Sequence, residues 1–272
     1  MARGRHRAWL TALLLSASLP GSGAVAETVS VPGPLGVVLQ AQLFRPDKPV
    51  PNAAAIVALH GCGGPYPRRD AQWRGRLLAD GHIVLFPDSF GSRGLGSQCR
   101  ETHRTVSANG LRRLDAIAAA QWLAAQPGVP SGIVLMGWSN GGSTTVAVSR
   151  VASDLPPNLF RGFVAFYPSC RIMLRPDYRP ARPLLILQGE NDDWTPFAPC
   201  HQAVAQVDSP LVTQQGYPGA YHDFDAPTPL RILHNIAFSH NADKTVHAGE
   251  SPAARADALS RVPAFIASLP AR

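Results

Sequence analysis

Short apolar runs recur along the chain, and segments rich in glycine and proline separate them. The most continuous runs are residues 53–60, 82–86, 133–136, 163–167 and 184–187. A strand that is buried on both faces shows such an unbroken run, because neither face needs polar side chains. Residues 37–44 instead alternate apolar and polar positions, which predicts an early edge strand with one wet face. Residues 212–217 are the candidate for the last strand.

Apolar residues at helical spacing occur between these runs. They predict a short helix at 72–79, a long helix at 107–126 and a closing helix at 253–269. Strands that alternate with helices favour an α/β fold, in which a mostly parallel, doubly wound sheet carries helices on both faces. Ligands of such sheets bind at the carboxyl ends of the strands. We therefore expect the catalytic residues to lie in the loops at the carboxyl ends of the strands.

The run at 133–136 leads into Gly137-Trp-Ser-Asn-Gly141, which matches the G-x-S-x-G nucleophile elbow. A helix-permissive run follows at 144–151, so strand, tight turn and helix occur in the order that the motif requires. The turn lifts the hydroxyl of Ser139 above the sheet, beside a helix N-terminus whose partial positive charge stabilises an oxyanion. We interpret Ser139 as a nucleophile; the alternative is a glycine-rich turn without chemistry.

The first 26 residues are typical of a secretory signal peptide. A basic start precedes a short apolar stretch, and residues 24–26 supply an A-x-A cleavage site. The stretch is too short for a stable membrane anchor. We therefore expect cleavage after Ala26, a periplasmic or secreted protein, and a single domain over residues 27–272.

Charge and composition restrict the partners. The formal net charge is +7 at pH 7, and removal of the three arginines in the leader leaves +4 on the mature chain. Basic residues form no run interleaved with aromatic residues, so a nucleic-acid partner is not expected. No C-x-x-C pair occurs, and neither a metal nor a cofactor is expected.

The four cysteines of an exported protein favour disulfides over free thiols. Three pairings are possible. We favour Cys62–Cys99 and Cys170–Cys200, because the members of each pair would lie in loops that follow neighbouring strands. One or both pairs could also stay reduced, since the geometry of the bond is demanding.

A serine nucleophile needs a base and a carboxylate that orients the base. In the fold that carries this elbow, the acid and then the histidine follow the serine along the chain. Glu190, Asp192 and Asp193 follow the run at 184–187, and His222 follows the last predicted strand. The expected base is therefore His222, with its acid among these three carboxylates.

Four segments together resemble the dienelactone hydrolase branch of the α/β-hydrolases, over nearly the whole mature chain. They are Leu59-His-Gly-Cys-Gly-Gly64, Gly137-Trp-Ser-Asn-Gly-Gly142, Gly189-Glu-Asn-Asp-Asp-Trp-Thr-Pro196 and Tyr217-Pro-Gly-Ala-Tyr-His222. The resemblance implies an α/β-hydrolase fold and a hydrolase of esters or lactones. In that family the acid lies three residues after the glycine and four before the proline, which selects Asp192. Asp193 is then a neighbour that could cap the next helix.

The resemblance also implies an oxyanion hole of two backbone N–H groups, those of Cys62 and Asn140. Removal of one such donor typically slows an enzyme by about 100- to 1,000-fold. The alternative interpretation of residues 61–64 is a tight turn closed by a disulfide, and both can hold together.

The chain departs from the family at the positions that hold its substrate. Dienelactone hydrolases use a cysteine where this chain has Ser139, and a glutamate where it has Gly61. Of their two substrate-binding arginines, one corresponds to Arg93 with one extra residue, and Ala226 stands at the place of the other. Arg93 is thus a candidate ligand for a substrate carboxylate, with a solvated loop arginine as the alternative. Dienelactone specificity is not expected.

Aromatic side chains near the expected mouth could form an acyl or alcohol pocket. The candidates are Tyr66, Phe90, Trp138, Trp194 and Tyr221. Trp138 could equally be buried under the elbow. Loops 91–103 and 223–250 are expected to cover a site that is otherwise open.

The sequence thus predicts an exported serine hydrolase that cleaves carboxylic esters or lactones through an acyl-enzyme. Its catalytic residues would be Ser139, Asp192 and His222, and its partner a small-molecule ester or lactone. A secreted polyesterase or a serine peptidase of the same fold is the alternative enzyme. A non-catalytic binding module on a hydrolase fold is the alternative of another class.

Overall fold

A computed structural model describes Met1 and residues 26–48 and 50–270, and a sheet of eight strands lies at its centre. The strands are β1 (Glu27–Pro32), β2 (Val38–Phe44), β3 (Ala55–Leu59), β4 (Ile83–Asp88), β5 (Ile133–Trp138), β6 (Phe160–Phe166), β7 (Leu184–Gly189) and β8 (Val212–Tyr217). Their order across the sheet is β1-β2-β4-β3-β5-β6-β7-β8. β1 and β2 pair antiparallel, as do β2 and β4, whereas the pairings from β4 through β8 are parallel. The predicted mostly parallel sheet is confirmed.

Helices pack on both faces of the sheet, as the alternation of patterns predicts. They are α1 (Pro67–Ala79), α2 (Leu111–Ala124), α3 (Asn140–Val148), α4 (Phe197–Val207) and α5 (Pro252–Ser268). On one face α1 and α5 contribute buried residues such as Trp73 and Ala258. On the other face α2 and α4 contribute residues such as Leu123 and Ala203. Within the described ranges, no helix combines the length and the apolar character needed to cross a membrane.

The central strands are apolar throughout because helices cover them from both sides. Ile56, Leu135, Val164 and Ile186, on four adjacent strands, are all fully buried. Each such side chain stabilises the fold by about 1.5–3 kcal/mol relative to exposure. The rigid platform that results holds the loops at the carboxyl ends of the strands.

The edge of the sheet differs from the prediction. Residues 38–44 form a strand with one buried face, since Leu39 and Ala41 are buried while Val38 and Gln40 are exposed. This strand is not at the edge, however, because β1 pairs along its outer side. The six-residue strand β1 follows directly on the predicted leader and was not predicted.

The boundaries of two predicted helices also shift. α1 begins at Pro67 rather than residue 72, because proline suits the first helical turn and the Asp70 carboxylate accepts a hydrogen bond from the Tyr66 N–H at 2.7 Å. α2 is shorter than predicted and begins at Leu111, after Gly110. The closing helix α5 lies where the sequence places it.

The loop predicted at 223–250 contains a small sheet of its own. β9 (Arg231–Leu233) pairs antiparallel with β10 (Val246–Ala248), away from the central sheet. The predicted signal peptide lies almost wholly outside the described residues. The domain boundary at residue 27 therefore stays a prediction.

Both preferred disulfides are confirmed. Cys62–Cys99 joins the loops that follow β3 and β4, and Cys170–Cys200 joins the segment after β6 to α4. In each pair the Cα atoms are 4.9 Å apart. The bonds thus cross between neighbouring strands of the sheet, at the edge where the predicted site lies.

Removal of the Cys170–Cys200 bond tests its contribution to stability. In the chain-entropy view, a bond that closes a loop of this length stabilises the folded state by about 3–4 kcal/mol. We expect the double variant Cys170→Ser/Cys200→Ser to lose about that much free energy of unfolding, measured by urea denaturation. An unchanged free energy of unfolding would show that the bond does not constrain the unfolded chain.

Candidate active site

The elbow at the end of β5 is built on glycines because two backbones approach each other closely. A Cβ atom on Gly137 would lie 2.3 Å from the carbonyl oxygen of Gly141, and one on Gly141 would lie 2.3 Å from that of Leu59. Neither position can carry a side chain without moving backbone. α3 therefore packs directly on the ends of β3 and β5, and the turn between strand and helix has to be tight.

Ser139 occupies that turn in a strained conformation. Its φ of 54° and ψ of −116° lie in a region that side-chain-bearing residues rarely adopt. A hydrogen bond of 2.9 Å from its N–H to the carbonyl of Phe166 helps to hold it there. Ser139 immediately precedes α3, so the partial positive charge of the helix N-terminus lies beside its side chain.

His222 and Asp192 form a buried pair. Nδ1 of His222 lies 2.8 Å from Oδ2 of Asp192, and both side chains are almost fully buried. The other carboxylate oxygen of Asp192 accepts hydrogen bonds from the backbone N–H groups of Trp194 and Thr195. The Thr195 hydroxyl donates to Oδ2 at 3.0 Å. The carboxylate is thus fixed on both oxygens, and it fixes the imidazole in turn.

The free end of His222 is left without a partner. Nε2 is buried and makes no hydrogen bond within the described part of the chain, so Ser139 and His222 are not hydrogen-bonded in this structure. The rings of Tyr167 and Trp194 pack on the imidazole, with centroids at 4.4 and 4.6 Å. These contacts define the orientation of the ring and leave Nε2 as a potential proton acceptor.

Charge raises the pKa of His222 above its ordinary value of 6.5. Burial opposes the charged form and is the largest single influence, but the charge and hydrogen bond of Asp192 act in the opposite direction. Asp223 and Asp193 add to the increase. The net direction is upward because the imidazolium would lie against a carboxylate.

Asp193 contacts a different histidine, His247. Its carboxylate accepts hydrogen bonds from the backbone N–H of His247 and from the side chain of Asn241, and lies 2.8 Å from Nδ1 of His247. It does not cap the next helix, because α4 begins after Pro196. The contact to His222 belongs to Asp192, the residue that the family spacing favours.

A buried carboxylate joins the histidine loop to the elbow. Asp225 is fully buried and accepts hydrogen bonds from the indole N–H groups of Trp73 at 2.6 Å and Trp138 at 2.9 Å. Its other oxygen accepts from the Tyr167 hydroxyl at 2.7 Å. Burial raises the pKa of Asp225, and the charge of Arg69 opposes that increase. The sequence alone gave no indication of this cluster.

The loop predicted to supply an oxyanion donor lies against Ser139. A Cβ atom on Gly61 would be 3.5 Å from Cβ of Ser139. The Cys62–Cys99 bond holds the loop, and the Cys62 carbonyl accepts a 2.7 Å hydrogen bond from the N–H of Gln98. Neither the Cys62 N–H nor the Asn140 N–H donates to another group among the described residues. Both are available to a ligand.

Three tentative substrate contacts are corrected. Trp138 is fully buried under the elbow, bonded to Asp225, so the alternative interpretation of it holds. Arg93 donates two hydrogen bonds to the buried carboxylate of Asp115, at 2.7 and 2.8 Å, so it is neither a free ligand for a substrate carboxylate nor a solvated loop arginine. Tyr66 is half-buried, its hydroxyl oxygen lies 2.7 Å from that of Thr228, and it is not among the residues that line the cavity beside Ser139.

A cavity of about 330 Å³ opens beside Ser139. Its walls include four residues that the sequence analysis names for the site, Cys62, Ser139, Asn140 and Trp194, together with residues that it does not name. Among the latter are Arg104, Arg171, Ile172, Leu174 and Phe238. Arg171, Ile172 and Leu174 come from the segment after β6, and Phe238 comes from the loop between β9 and β10. The sequence patterns of these segments are too short to predict the positions of their side chains.

No group of three or more His, Cys, Asp and Glu side chains is arranged to hold a metal ion among residues 26–48 and 50–270.

Comparisons with known proteins agree with this architecture. The model of the dienelactone hydrolase family matches residues 39–269. A search of curated protein sequences found no match.

Solved structures show the same fold. A proposed dienelactone hydrolase from Klebsiella pneumoniae is similar with a TM-score of 0.67, at 18% identity over 91% of this chain and 100% of that one. A dienelactone hydrolase from Anabaena variabilis has a TM-score of 0.63, at 19% identity over 92% and 99%. An esterase from Pyrobaculum calidifontis has a TM-score of 0.62, at 19% identity over 90% and 85%. The fold is that of the α/β-hydrolases.

The pKa of His222 tests the electrostatics of the buried pair. We expect an NMR titration to give a value above 6.5 for the wild-type imidazole. In Asp192→Asn the value should fall below 6.5, because the influence of burial then has no adjacent carboxylate to oppose it. Asp193→Asn is the matched control, since its carboxylate contributes least among the acids that raise the value. Equal effects of the two substitutions would contradict the assignment of Asp192 as the partner.

Proposed function

The chain belongs to the dienelactone hydrolase family, and from this premise we propose that it is an exported serine hydrolase of carboxylic esters or lactones. The reaction passes through an acyl-enzyme on Ser139. The observation that carries the proposal is the state of His222, with Nδ1 held by Asp192 and a buried Nε2 that has no partner in the described residues. A general base for a serine hydroxyl needs this arrangement.

In the proposed acylation, the hydroxyl oxygen of Ser139 attacks the carbonyl carbon of the ester. Nε2 of His222 accepts the hydroxyl proton, and Asp192 stabilises the imidazolium that forms. The carbonyl oxygen becomes an oxyanion, which accepts hydrogen bonds from the N–H groups of Cys62 and Asn140. Collapse of the tetrahedral intermediate breaks the ester bond, and the imidazolium gives its proton to the leaving alcohol.

Deacylation repeats these steps with water as the nucleophile. His222 takes a proton from the water molecule, whose oxygen attacks the acyl carbon, and the same two N–H groups hold the second oxyanion. Collapse of this second intermediate breaks the bond between the acyl carbon and the oxygen of Ser139, which takes the proton from the imidazolium, and the carboxylic acid is released. An Nε2 atom without a partner among the described residues is compatible with these roles, because catalytic hydrogen bonds often form fully only when substrate binds.

The shape of the cavity favours compact esters or lactones. Its volume of about 330 Å³ lies at the small end of ligand pockets, and side chains such as Ile172, Leu174 and Phe238 give it apolar walls. Dienelactone itself is not the favoured substrate. Arg93 is engaged with Asp115, and Ala226 is a buried alanine, so neither position offers a free guanidinium to a carboxylate.

Export is part of the proposal. The leader at 1–26 would direct the chain out of the cytosol, and residues 27–272 would form the mature domain. The disulfides Cys62–Cys99 and Cys170–Cys200 support this, because such bonds persist in oxidising compartments.

Removal of the nucleophile tests the proposed function. We expect the mature protein to hydrolyse p-nitrophenyl acetate and butyrate, and Ser139→Ala to reduce kcat/KM by at least about 1,000-fold. Ser268→Ala, at the end of α5, is the matched control and should be as active as the wild type. A fluorophosphonate that reacts with activated serines should label the wild type and not Ser139→Ala. Wild-type protein that is folded but neither turns over these esters nor takes the label would refute the proposal.

The pH dependence tests the role of His222. The base must be neutral to accept a proton, and its pKa is raised, so kcat/KM should increase with pH and level off above that pKa. We expect the half-maximal value above pH 6.5 when p-nitrophenyl acetate is the substrate. A profile that is flat between pH 5 and pH 8, or half-maximal well below 6.5, would exclude His222 as the general base.

A further inference from the structure

Arg112, on the first turn of α2, links the two segments of the proposed oxyanion hole. Its side chain is 1% exposed. One guanidinium nitrogen donates to the side-chain oxygen of Asn140 at 2.6 Å, and the other donates to the backbone carbonyl of His60 at 2.8 Å. Asn140 supplies one proposed oxyanion donor, and His60 lies two residues before Cys62, which supplies the other. A single planar group therefore spans both.

The contacts of Arg112 do not neutralise its charge. No carboxylate lies within 4.0 Å of the guanidinium, and its Nε atom is buried without a hydrogen-bond partner, as judged over residues 26–48 and 50–270. The face of the Phe90 ring lies 4.8 Å away. Burial lowers the pKa of Arg112 to about 9, and the more distant Asp115 and Asp88 oppose that decrease. At neutral pH the group is still cationic.

Such a cation is unfavourable for the stability of the fold. Burial of a charge without an ion-pair partner costs several kcal/mol. In addition, Arg112 contacts Asn140, the first residue of α3, and a cation at a helix N-terminus is repelled by the helix dipole. An oxyanion at the same helix N-terminus would be stabilised by both the dipole and the guanidinium. The arrangement is therefore suited to an anion that is present only during reaction.

The neighbouring His60 does not compete for this anion. Burial and the charge of Arg112 lower the pKa of His60 below 6.5. Nε2 of the ring accepts a hydrogen bond from the N–H of Ser89 at 3.2 Å, so Nδ1 carries the proton and donates to the carbonyl of Gly61 at 2.8 Å. His60 is thus a neutral imidazole that holds the same loop, and Asp88 lies on its far side at 3.4 Å from Nε2.

We propose that Arg112 is a positioning residue of the oxyanion hole, which fixes the Cys62 and Asn140 N–H groups relative to each other and adds positive potential where the oxyanion develops. The proposal rests on the proposed hydrolase function. Arg112 does not touch the substrate, and its effect is larger in the transition state than in the ground state. Its loss should therefore lower kcat more than it raises KM.

The test compares Arg112→Met, Arg112→Lys and a matched control. Arg112→Met keeps most of the side-chain volume without the charge or the two donors, and Arg112→Lys keeps the charge without the planar fork. The control is Arg161→Met, because Arg161 is also buried and donates to backbone carbonyls, those of Asn52 and Leu269, in a region remote from the site. Folding of each variant is checked by thermal unfolding, and rates refer to folded protein.

We expect Arg112→Met to lower kcat for p-nitrophenyl acetate by about 10- to 100-fold, less than the loss of a direct oxyanion donor, with KM changed by less than about threefold. Affinity for a trifluoromethyl ketone, whose adduct with serine carries an oxyanion, should fall by a similar factor. Arg112→Lys should recover part of the rate. Arg161→Met should change neither kcat nor inhibitor affinity, whatever it does to stability.

Two results would overturn the proposal while the proposed function stands. One is a folded Arg112→Met enzyme with wild-type kcat and inhibitor affinity, and the other is an equal loss in Arg161→Met. A different result would refute the proposed hydrolase function: wild-type protein that neither hydrolyses esters nor reacts with a fluorophosphonate at Ser139. That outcome would overturn both proposals together.

Discussion

The arrangement of the site depends on the buried carboxylate of Asp225. It lies three residues after His222 and accepts hydrogen bonds from Trp73 on α1, Trp138 at the end of β5 and Tyr167 after β6. A fully buried carboxylate is tolerated only when such donors satisfy it, and removal of one partner of a buried charged cluster typically costs about 3–5 kcal/mol. Because its donors come from three separate elements, Asp225 fixes the loop that carries His222 relative to β5, the strand that Ser139 follows.

Two buried histidines lie at the site, and their surroundings shift the pKa of each in opposite directions. Burial acts to lower the pKa of both His60 and His222, because it disfavours the charged imidazolium. At His60 the nearby charge of Arg112 adds to that effect, so the ring is neutral and structural. At His222 the carboxylate of Asp192 outweighs burial, so the pKa is raised and the ring is suited to accept a proton near neutrality. The positive charge of Arg112 thus lies beside the proposed oxyanion hole, and the negative charge of Asp192 lies beside the proposed base.

Much of the fold and the backbone of the site could be predicted, because they depend on local patterns. Unbroken apolar runs identify the central strands, and the close approach at Gly137 and Gly141 explains why the elbow motif can be recognised from sequence. The resemblance to the dienelactone hydrolase family, through its spacing from glycine to proline, selects Asp192 as the carboxylate that contacts His222. The strands β9 and β10 were missed, since three residues carry too little periodicity. The strand β1 was missed because it is mostly exposed and lacks the unbroken apolar run that identifies the central strands.

The contacts of individual side chains could not be predicted, because their partners lie far away in the sequence. Trp138 is held by Asp225, 87 residues later, and Arg93 is held by Asp115, 22 residues later. Arg112 lies on a helix whose apolar spacing gives no sign that this arginine faces inward. The lining of the cavity could not be predicted for the same reason, because part of its wall comes from the segments after β6 and between β9 and β10.

The most direct test of the account is to identify the covalent intermediate. The protein would be mixed with excess p-nitrophenyl butyrate, quenched in acid within the first turnovers, digested and mapped by mass spectrometry. We predict a butyryl group on the peptide that contains Ser139, with its site localised to that serine, and none after prior treatment with a fluorophosphonate. Sustained turnover with no acyl group on Ser139, or with the group on another side chain, would contradict the assignment of Ser139 as the nucleophile.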